Sequence, residues 1–195
     1  MKDSRQQFVF RIPYGSPQHA RAFSLHDALV TMAVVSTIAT IGVPSFQQLV
    51  VSQRMTGAIN TFVTALHLAR SEAIKRGENA VLCPSTDGRN CINRGDEWET
   101  GYLLYIDRDG DREIDADETV VRVFGATNGL RLRTSPGRDD VRYMPNGLAL
   151  GSTATFRFCD VHGRGTPKAV IISNAGRVRT STRMPEGDAI VCPAA

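Results

Sequence analysis

The sequence has few of the residues from which catalytic and metal sites are usually built. Its 195 residues include four histidines, scattered along the chain, and four cysteines. No two cysteines form a Cys-x-x-Cys pair, and His162 is the one histidine close in sequence to a cysteine, so a zinc site is disfavoured. We find neither a nucleophile–base pair nor a glycine-rich phosphate loop. These absences predict a protein that is not an enzyme and that has no resident cofactor.

An internal repeat, a long linker and a large net charge are also missing. The formal net charge is only +3, so the surface is not expected to be uniformly basic or acidic. Hydrophobic residues make up 42% of the chain. The part that follows the N-terminal helical region has about 120 residues, which is enough for one hydrophobic core.

The longest apolar segment lies near the N-terminus, at residues 22–46 (AFSLHDALVTMAVVSTIATIGVPSF). About 20 apolar residues can cross a bilayer as a helix, and Asp27 is anomalous there because an ionised carboxylate is costly in hydrocarbon. The residues before this segment include Lys2, Arg5, Arg11 and Arg21 against Asp3. This bias predicts a cytoplasmic N-terminus and a C-terminal part beyond the inner membrane. An ordinary signal peptide, the alternative, would have a shorter apolar core without an acid.

The same segment resembles the N-terminus of type IV pilins and type II secretion pseudopilins, where a Gly precedes Phe-Thr-Leu-Ile-Glu and a Pro lies midway along the helix. The resemblance implies that prepilin peptidase cuts after Ala22 and that Phe23 becomes the methylated first residue. It also implies that Asp27 neutralises the N-terminal amine of a neighbouring subunit during assembly. Ala22 replaces the usual Gly, Asp27 replaces the longer Glu, and His26 stands where an apolar residue is normal.

The implied organisation has three parts. They are a prepilin leader (1–22), a hydrophobic transmembrane and assembly helix (23–52), and an amphipathic helix with a β-rich pilin domain and a basic C-terminal tail (53–195). The resemblance implies that the subunit is held in the inner membrane by one span, with its C-terminal domain in the periplasm. It is then incorporated in a cell-surface pilus, where other pilin subunits are its partners.

Periodicity beyond the apolar segment predicts a helix followed by strands. Ile59, Phe62 and Leu66 recur at helical spacing, and the helix is expected to end near Gly77. Seven segments rich in aliphatic and aromatic residues follow, at 79–83, 101–106, 119–124, 130–134, 154–159, 168–173 and 188–192. We therefore predict an α+β fold in which a long N-terminal helix packs on antiparallel β-sheet.

The four cysteines all lie in the exported part, as is typical of an oxidising compartment. They allow three pairings, between which the sequence does not choose. Cys83 and Cys91 enclose a short polar loop, which favours a local bridge. Cys159 and Cys192 would then connect the C-terminal tail to the sheet.

The globular part is similar to the FimT/GspH minor pilins. The similarity rests on the order of four features: LCPSTDGRNC, then DEWETGYLLYIDRDGD, then VIISNAGRVR, then a final cysteine. It covers most of the chain after Ala22 and implies the type IV pilin-like fold.

Residues 107–118 (DRDGDREIDADE) nearly match a calcium-binding EF-hand loop. Asp107, Asp109, Asp111 and Glu118 stand at the first, third, fifth and twelfth positions. However, Arg112 occupies the sixth position, where glycine permits a sharp turn, and the flanking residues indicate strands rather than helices. We therefore expect a solvated acidic hairpin loop and keep calcium binding as the alternative.

The C-terminal region is basic. Gly176-Arg177-Val178-Arg179 places two arginines on one side of an extended segment. In FimT-type minor pilins of DNA-uptake pili, a Gly-Arg-x-Arg motif at this place is associated with DNA binding, and Gly176, Arg177 and Arg179 match it. Arg164, Lys168 and Arg183 are the supporting cations nearby in sequence.

The resemblance therefore implies a minor pilin that binds double-stranded DNA without sequence specificity during natural transformation. Phe156 and Phe158 alternate with Arg157 and are expected to fill the core instead of stacking on bases. Two alternatives remain: a structural minor pilin that primes pilus assembly, and a minor pseudopilin of a type II secretion system.

Overall fold

The computed structural model describes residues 24–92, 97–135 and 137–192. The contacts within the chain divide it into two units, Met1–Gly42 and Val43–Ala195.

In the described residues, one long helix precedes eight strands. The helix α1 spans Leu25–Arg76, and a short 3-10 turn covers Trp98–Thr100. The strands are β1 (Asn79–Pro84), β2 (Tyr102–Asp107), β3 (Thr119–Phe124), β4 (Leu130–Arg133), β5 (Val141–Tyr143), β6 (Ala154–Asp160), β7 (Lys168–Ile172) and β8 (Val178–Ser181).

The start of α1 is fixed by a capping box. Ser24 is the N-cap, and its hydroxyl oxygen accepts a hydrogen bond from the Asp27 backbone N–H at 3.2 Å. In return, Asp27 Oδ2 accepts bonds from the Ser24 backbone N–H at 3.2 Å and from its hydroxyl at 2.8 Å. These reciprocal bonds satisfy backbone donors that have no partner within the helix. A carboxylate at this place also suits the positive end of the helix dipole.

The first part of α1 is apolar and exposed. Large hydrophobic side chains such as Leu29, Met32 and Ile38 are more than half exposed. By length and composition, α1 is a helix that can cross a membrane, and it lies near the N-terminus. It is therefore a candidate membrane anchor.

The second unit has its core between the C-terminal half of α1 and two antiparallel sheets. Ile59, Phe62 and Leu66 are buried, as their spacing predicts. The Phe62 ring is fully buried and contacts the Trp98 and Phe156 rings, with centroids 5.7 and 4.6 Å away. α1 ends at Arg76, and Gly77 adopts φ +71°, as expected for a helix C-terminus.

The first sheet has the strand order β3-β2-β1-β5, and the second has the order β4-β6-β7-β8. In the second sheet, Phe156, Phe158, Val170 and Ile172 belong to the core that includes α1. Because side chains alternate along a strand, Ala169 and Ile171 lie on the opposite face, which we call the outer face. They pack there against Ile190 and Met184 of the C-terminal tail.

The predicted α+β class is confirmed, with a long helix on antiparallel sheets. The expectation that Phe156 and Phe158 fill the core is also confirmed. The predicted strand at 188–192 is wrong, because this segment forms a single bridge between Ala189 and Arg183. Beyond this bridge the tail leaves the edge of β8, because Ile190 packs on Ala169 and Ile171 of the outer face and Cys192 is bonded to Cys159 of β6.

Both favoured disulfides are present. Cys83 and Cys91 are joined with a Cα–Cα distance of 5.6 Å. Cys159 and Cys192 are joined with a Cα–Cα distance of 5.9 Å. The second bond connects β6 to the tail that covers the outer face.

Candidate nucleic-acid interface

The Gly-Arg-x-Arg motif lies at the turn between β7 and β8. Two backbone hydrogen bonds close this turn: the Ser173 N–H donates to the Arg177 carbonyl at 3.1 Å, and the Gly176 N–H donates to the Ser173 carbonyl at 2.8 Å. Gly176 has φ +71°, in the left-handed region that favours glycine. The turn therefore depends on glycine at this position.

Contacts with α1, with Tyr143 of β5 and with the segment that follows β5 hold the turn in place. A Cβ added to Gly176 would collide with the Gly147 carbonyl oxygen and would lie 3.1 Å from Cε1 of Tyr143. Arg70 of α1 donates through Nη1 to the Gly176 carbonyl at 3.3 Å. The Ala149 N–H donates to the Asn174 carbonyl at 2.9 Å. Helical periodicity does not reveal this role of Arg70, since it arises from a contact 106 residues away.

Arg177 and Arg179 project from this fixed turn into solvent. Both are exposed, whereas Val178 between them is half-buried and packs against the main core. Arg179 lies opposite Ile171 in the register, so its side chain is on the outer face. Among the described residues, neither guanidinium takes part in an ion pair or hydrogen bond. The predicted alternation along this segment is confirmed.

Arg183 lies two residues beyond the end of β8. It follows β8, which is the edge strand of the second sheet. The Arg183 guanidinium is exposed and donates through Nη1 to the Gly187 carbonyl at 3.0 Å. At about 3.3 Å per residue, Arg177 to Arg183 would cover roughly 20 Å if fully extended. Three cations thus follow one sheet edge.

Lys168 and Arg164 lie elsewhere. Lys168 is at the start of β7, opposite Phe158 in the register, and therefore on the face turned towards α1. Its Nζ donates to Oγ1 of Thr56 at 3.4 Å. Arg164 Nε is 3.6 Å from Oδ2 of Asp160. The structure therefore does not bring these two cations together with Arg177 and Arg179.

Another arginine, Arg157, also lies on the outer face, but its guanidinium already donates two hydrogen bonds. Arg157 lies opposite Ala169 in the register. Its Nη1 donates to the Val191 carbonyl and its Nη2 to the Thr134 carbonyl, both at 3.3 Å. Arg157 thus holds the tail in place.

The acidic loop between β2 and β3 is a second candidate site. Carboxylate oxygens of Asp107, Asp109 and Glu118 lie within 4.8 Å of one another, and a second such group consists of Asp109, Asp111 and Asp115. Burial raises the pKa of Asp107 and of Glu118, and the other carboxylates of the loop add to this effect. The expected strands on both sides of the loop are confirmed.

Of the residues of the implied processing and assembly site, the structure describes Asp27. Ala22, Phe23 and the implied leader (1–22) lie outside the described residues. Asp27 is described, and its carboxylate is engaged in the capping box with Ser24. The Ser-x-x-acid spacing signals this capping role, which the pilin resemblance alone does not.

The model of the family described as "Type II transport protein GspH" matches residues 58–176. The match therefore includes Gly176 and ends just before the two exposed arginines. No curated protein matches this chain.

Two solved structures are similar to this chain, and both are of the type IV minor pilin FimU of Pseudomonas aeruginosa PAO1. The first has 18% identity and a TM-score of 0.53, and the match covers 71% of this chain and 94% of the other. The second has 19% identity and a TM-score of 0.50, with 69% and 96% covered. At this identity the likeness shows a shared fold.

Proposed function

This chain belongs to the GspH family of minor pilins and pseudopilins, and we propose that it is a minor type IV pilin that binds double-stranded DNA during DNA uptake. The proposed receptor is the edge formed by Arg177, Arg179 and Arg183, which we call the basic edge. Other pilin subunits contact the N-terminal helix, and the globular domain presents the basic edge to the outside.

The single observation that carries this proposal is that the guanidiniums of Arg177 and Arg179, on a fixed turn, are exposed and have no ion pair or hydrogen bond within the described residues. Arg177 and Arg179 are two residues apart, about 7 Å along an extended chain. At that separation they can contact different phosphates of one DNA backbone. Each guanidinium can donate two hydrogen bonds to a phosphate. Because Gly176 is wedged against Gly147, little ordering of the turn is needed on binding.

The expected binding is independent of sequence. Phe156 and Phe158 are fully buried and cannot stack on bases. Phosphate contacts position a protein on DNA without reading its sequence. Such binding weakens steeply as salt concentration rises.

The proposal is tested by fluorescence anisotropy of a labelled DNA duplex with the full-length chain in detergent. The double variant Arg177→Ala with Arg179→Ala is expected to bind DNA much more weakly than the wild type at low salt and to keep its far-UV circular dichroism. The matched control is Arg89→Ala with Arg122→Ala, which removes the same charge from exposed residues elsewhere. If both double variants bind like the wild type, the basic edge is not the receptor.

We also propose how the subunit reaches the filament. Prepilin peptidase cuts after Ala22 at the inner membrane, Phe23 is methylated, and Asp27 pairs with the new amine of a neighbouring subunit. The C-terminal domain then lies in the periplasm until assembly, and its role is binding rather than catalysis. Mass spectrometry of the N-terminus of the mature chain tests this, and an intact leader on the assembled subunit would contradict it.

A second candidate function is that of a minor pseudopilin in a type II secretion system. The description of the matching family, a type II transport protein, favours it. In that case the basic edge would contact a protein cargo. Deleting the gene would then abolish secretion and leave DNA uptake intact, whereas the DNA proposal expects the reverse.

A further inference from the structure

The loop between β2 and β3 has the residue spacing of a twelve-residue calcium loop. Acids occupy the first, third, fifth, ninth and twelfth positions: Asp107, Asp109, Asp111, Asp115 and Glu118. The eighth position is Ile114, which is half-buried and packs against the buried cluster of Val81, Cys83, Leu103 and Tyr105 in the first sheet. This contact anchors the middle of the loop to the sheet.

The backbone of the loop has the turn that such a site requires. The sixth residue of a calcium loop is normally glycine, because a sharp turn is needed there. Arg112 occupies this position and has φ +70°, the one positive φ of a non-glycine residue in the described part of the chain. Its guanidinium pairs with Asp140 at 3.4 Å, so part of its charge is offset outside the carboxylate cluster. Arg112 replaces the usual glycine, but its backbone still makes the sharp turn, and its charge is paired with Asp140.

Three carboxylates of the loop converge on one point. Oxygens of Asp107, Asp109 and Glu118 lie within 4.8 Å of one another. Calcium binds oxygen at about 2.3–2.6 Å, so two ligands on opposite sides of the ion are about 5 Å apart. All three side chains can therefore contact a single ion without rearrangement of the backbone.

Asp107 provides an independent indication of a ligand. The residue is fully buried, and its Oδ1 accepts a hydrogen bond from the Gly110 N–H at 2.7 Å. Its Oδ2 is buried and has no hydrogen-bond partner among the described residues. A buried carboxylate oxygen without a partner is strongly unfavourable.

Within the described residues, Arg142 and Arg108 do not supply that partner. The Nη1 of Arg142 donates to the Gly110 carbonyl at 3.4 Å. Arg108 pairs with Glu78 at 3.5 Å and donates to the Asp117 carbonyl at 3.1 Å. Within the described residues, neither arginine forms an ion pair with Asp107.

We propose that the loop between β2 and β3 binds one calcium ion through Asp107, Asp109 and Glu118. Asp111 and Asp115 supply further oxygens, either directly or through water. A hard cation with several oxygen ligands fits this site, and calcium fits it better than magnesium because magnesium demands near-ideal octahedral geometry. Bound calcium would join the end of β2 to the start of β3 and stabilise that hairpin.

The test uses the full-length chain in detergent, first treated with a chelator. Thermal unfolding is followed as calcium chloride is added, with magnesium chloride as the parallel titration. We expect a rise in Tm of about 3–10 °C at about 10 mM calcium, with half-saturation at about 10⁻⁴–10⁻³ M, as for extracellular calcium modules. Magnesium is expected to cause a much smaller rise.

Two variants and one matched control locate the site. Glu118→Gln and Asp109→Asn each remove a charge from the cluster and should abolish the calcium-dependent rise. Glu113→Gln removes the same charge from the seventh position, which contributes only its backbone carbonyl in a calcium loop, and should keep the rise. Asp109 is exposed, so Asp109→Asn is expected to fold. If Glu118→Gln does not fold, Asp109→Asn alone tests whether the calcium-dependent rise in Tm is lost. A wild type that shows no rise, or an equal loss in Glu113→Gln, would overturn the proposal.

Discussion

Substitution of Gly176 by alanine is expected to destabilise the turn that carries Arg177 and Arg179. The new Cβ would meet the Gly147 carbonyl oxygen, and alanine would have to adopt φ +71°. A left-handed conformation costs an L-residue about 1–2 kcal/mol. Relieving the collision requires the turn to move, which weakens the hydrogen bonds to the Gly176 and Asn174 carbonyls. Each such bond contributes about 1 kcal/mol.

The expected loss in unfolding free energy is therefore about 3 kcal/mol, or a fall in Tm of about 6–12 °C. The assay is thermal unfolding of the full-length chain, followed by circular dichroism. Gly163→Ala is the matched control, because Gly163 has φ +67° and nothing within 4 Å of its added Cβ. It should lose only the conformational part, about 1–2 kcal/mol. Equal losses in the two variants would refute the idea that Gly176 is wedged against its neighbours.

Three further predictions concern the core, the tail and pH. Phe62→Ala should lower the unfolding free energy by about 3–5 kcal/mol, measured by urea unfolding. Replacing Cys159 and Cys192 together by serine opens a link of sequence separation 33 and should cost about 3–4 kcal/mol, measured in the same way. Hydrogen bonds from the backbone of Asn90 and Arg89 hold the pKa of Asp87 well below its usual value. Its stabilisation is present above the unfolded pKa of about 4 and is lost as pH falls below it, so Asp87→Asn should flatten the fall in Tm between about pH 4 and pH 2.

Local patterns in the sequence predict the features that are set by residues close to one another along the chain. The period of α1 identifies Phe62 as a core residue, and the alternation at residues 176–179 separates Val178 from its two arginines. Spacing also favours the Cys83–Cys91 bridge. These features need no knowledge of which strands are neighbours.

Features that depend on distant contacts are not predictable in the same way. The sequence brings Lys168 near the motif, but the register of β7 turns it towards α1. The role of Arg70 depends on a contact between α1 and a turn more than 100 residues later. Arg112 has φ +70°, although a positive φ is uncommon for any residue other than glycine. The geometry of the loop therefore overrides the ordinary backbone preference of arginine.

The salt dependence of DNA binding tests the central claim most directly. Each phosphate contact contributes about −0.9 to the slope of log K against log salt concentration. The account predicts that the Arg177→Ala, Arg179→Ala variant has a slope shallower by about 1.8 than the wild type. The Arg89→Ala, Arg122→Ala variant should keep the wild-type slope. Identical slopes and affinities in all three proteins would contradict the account.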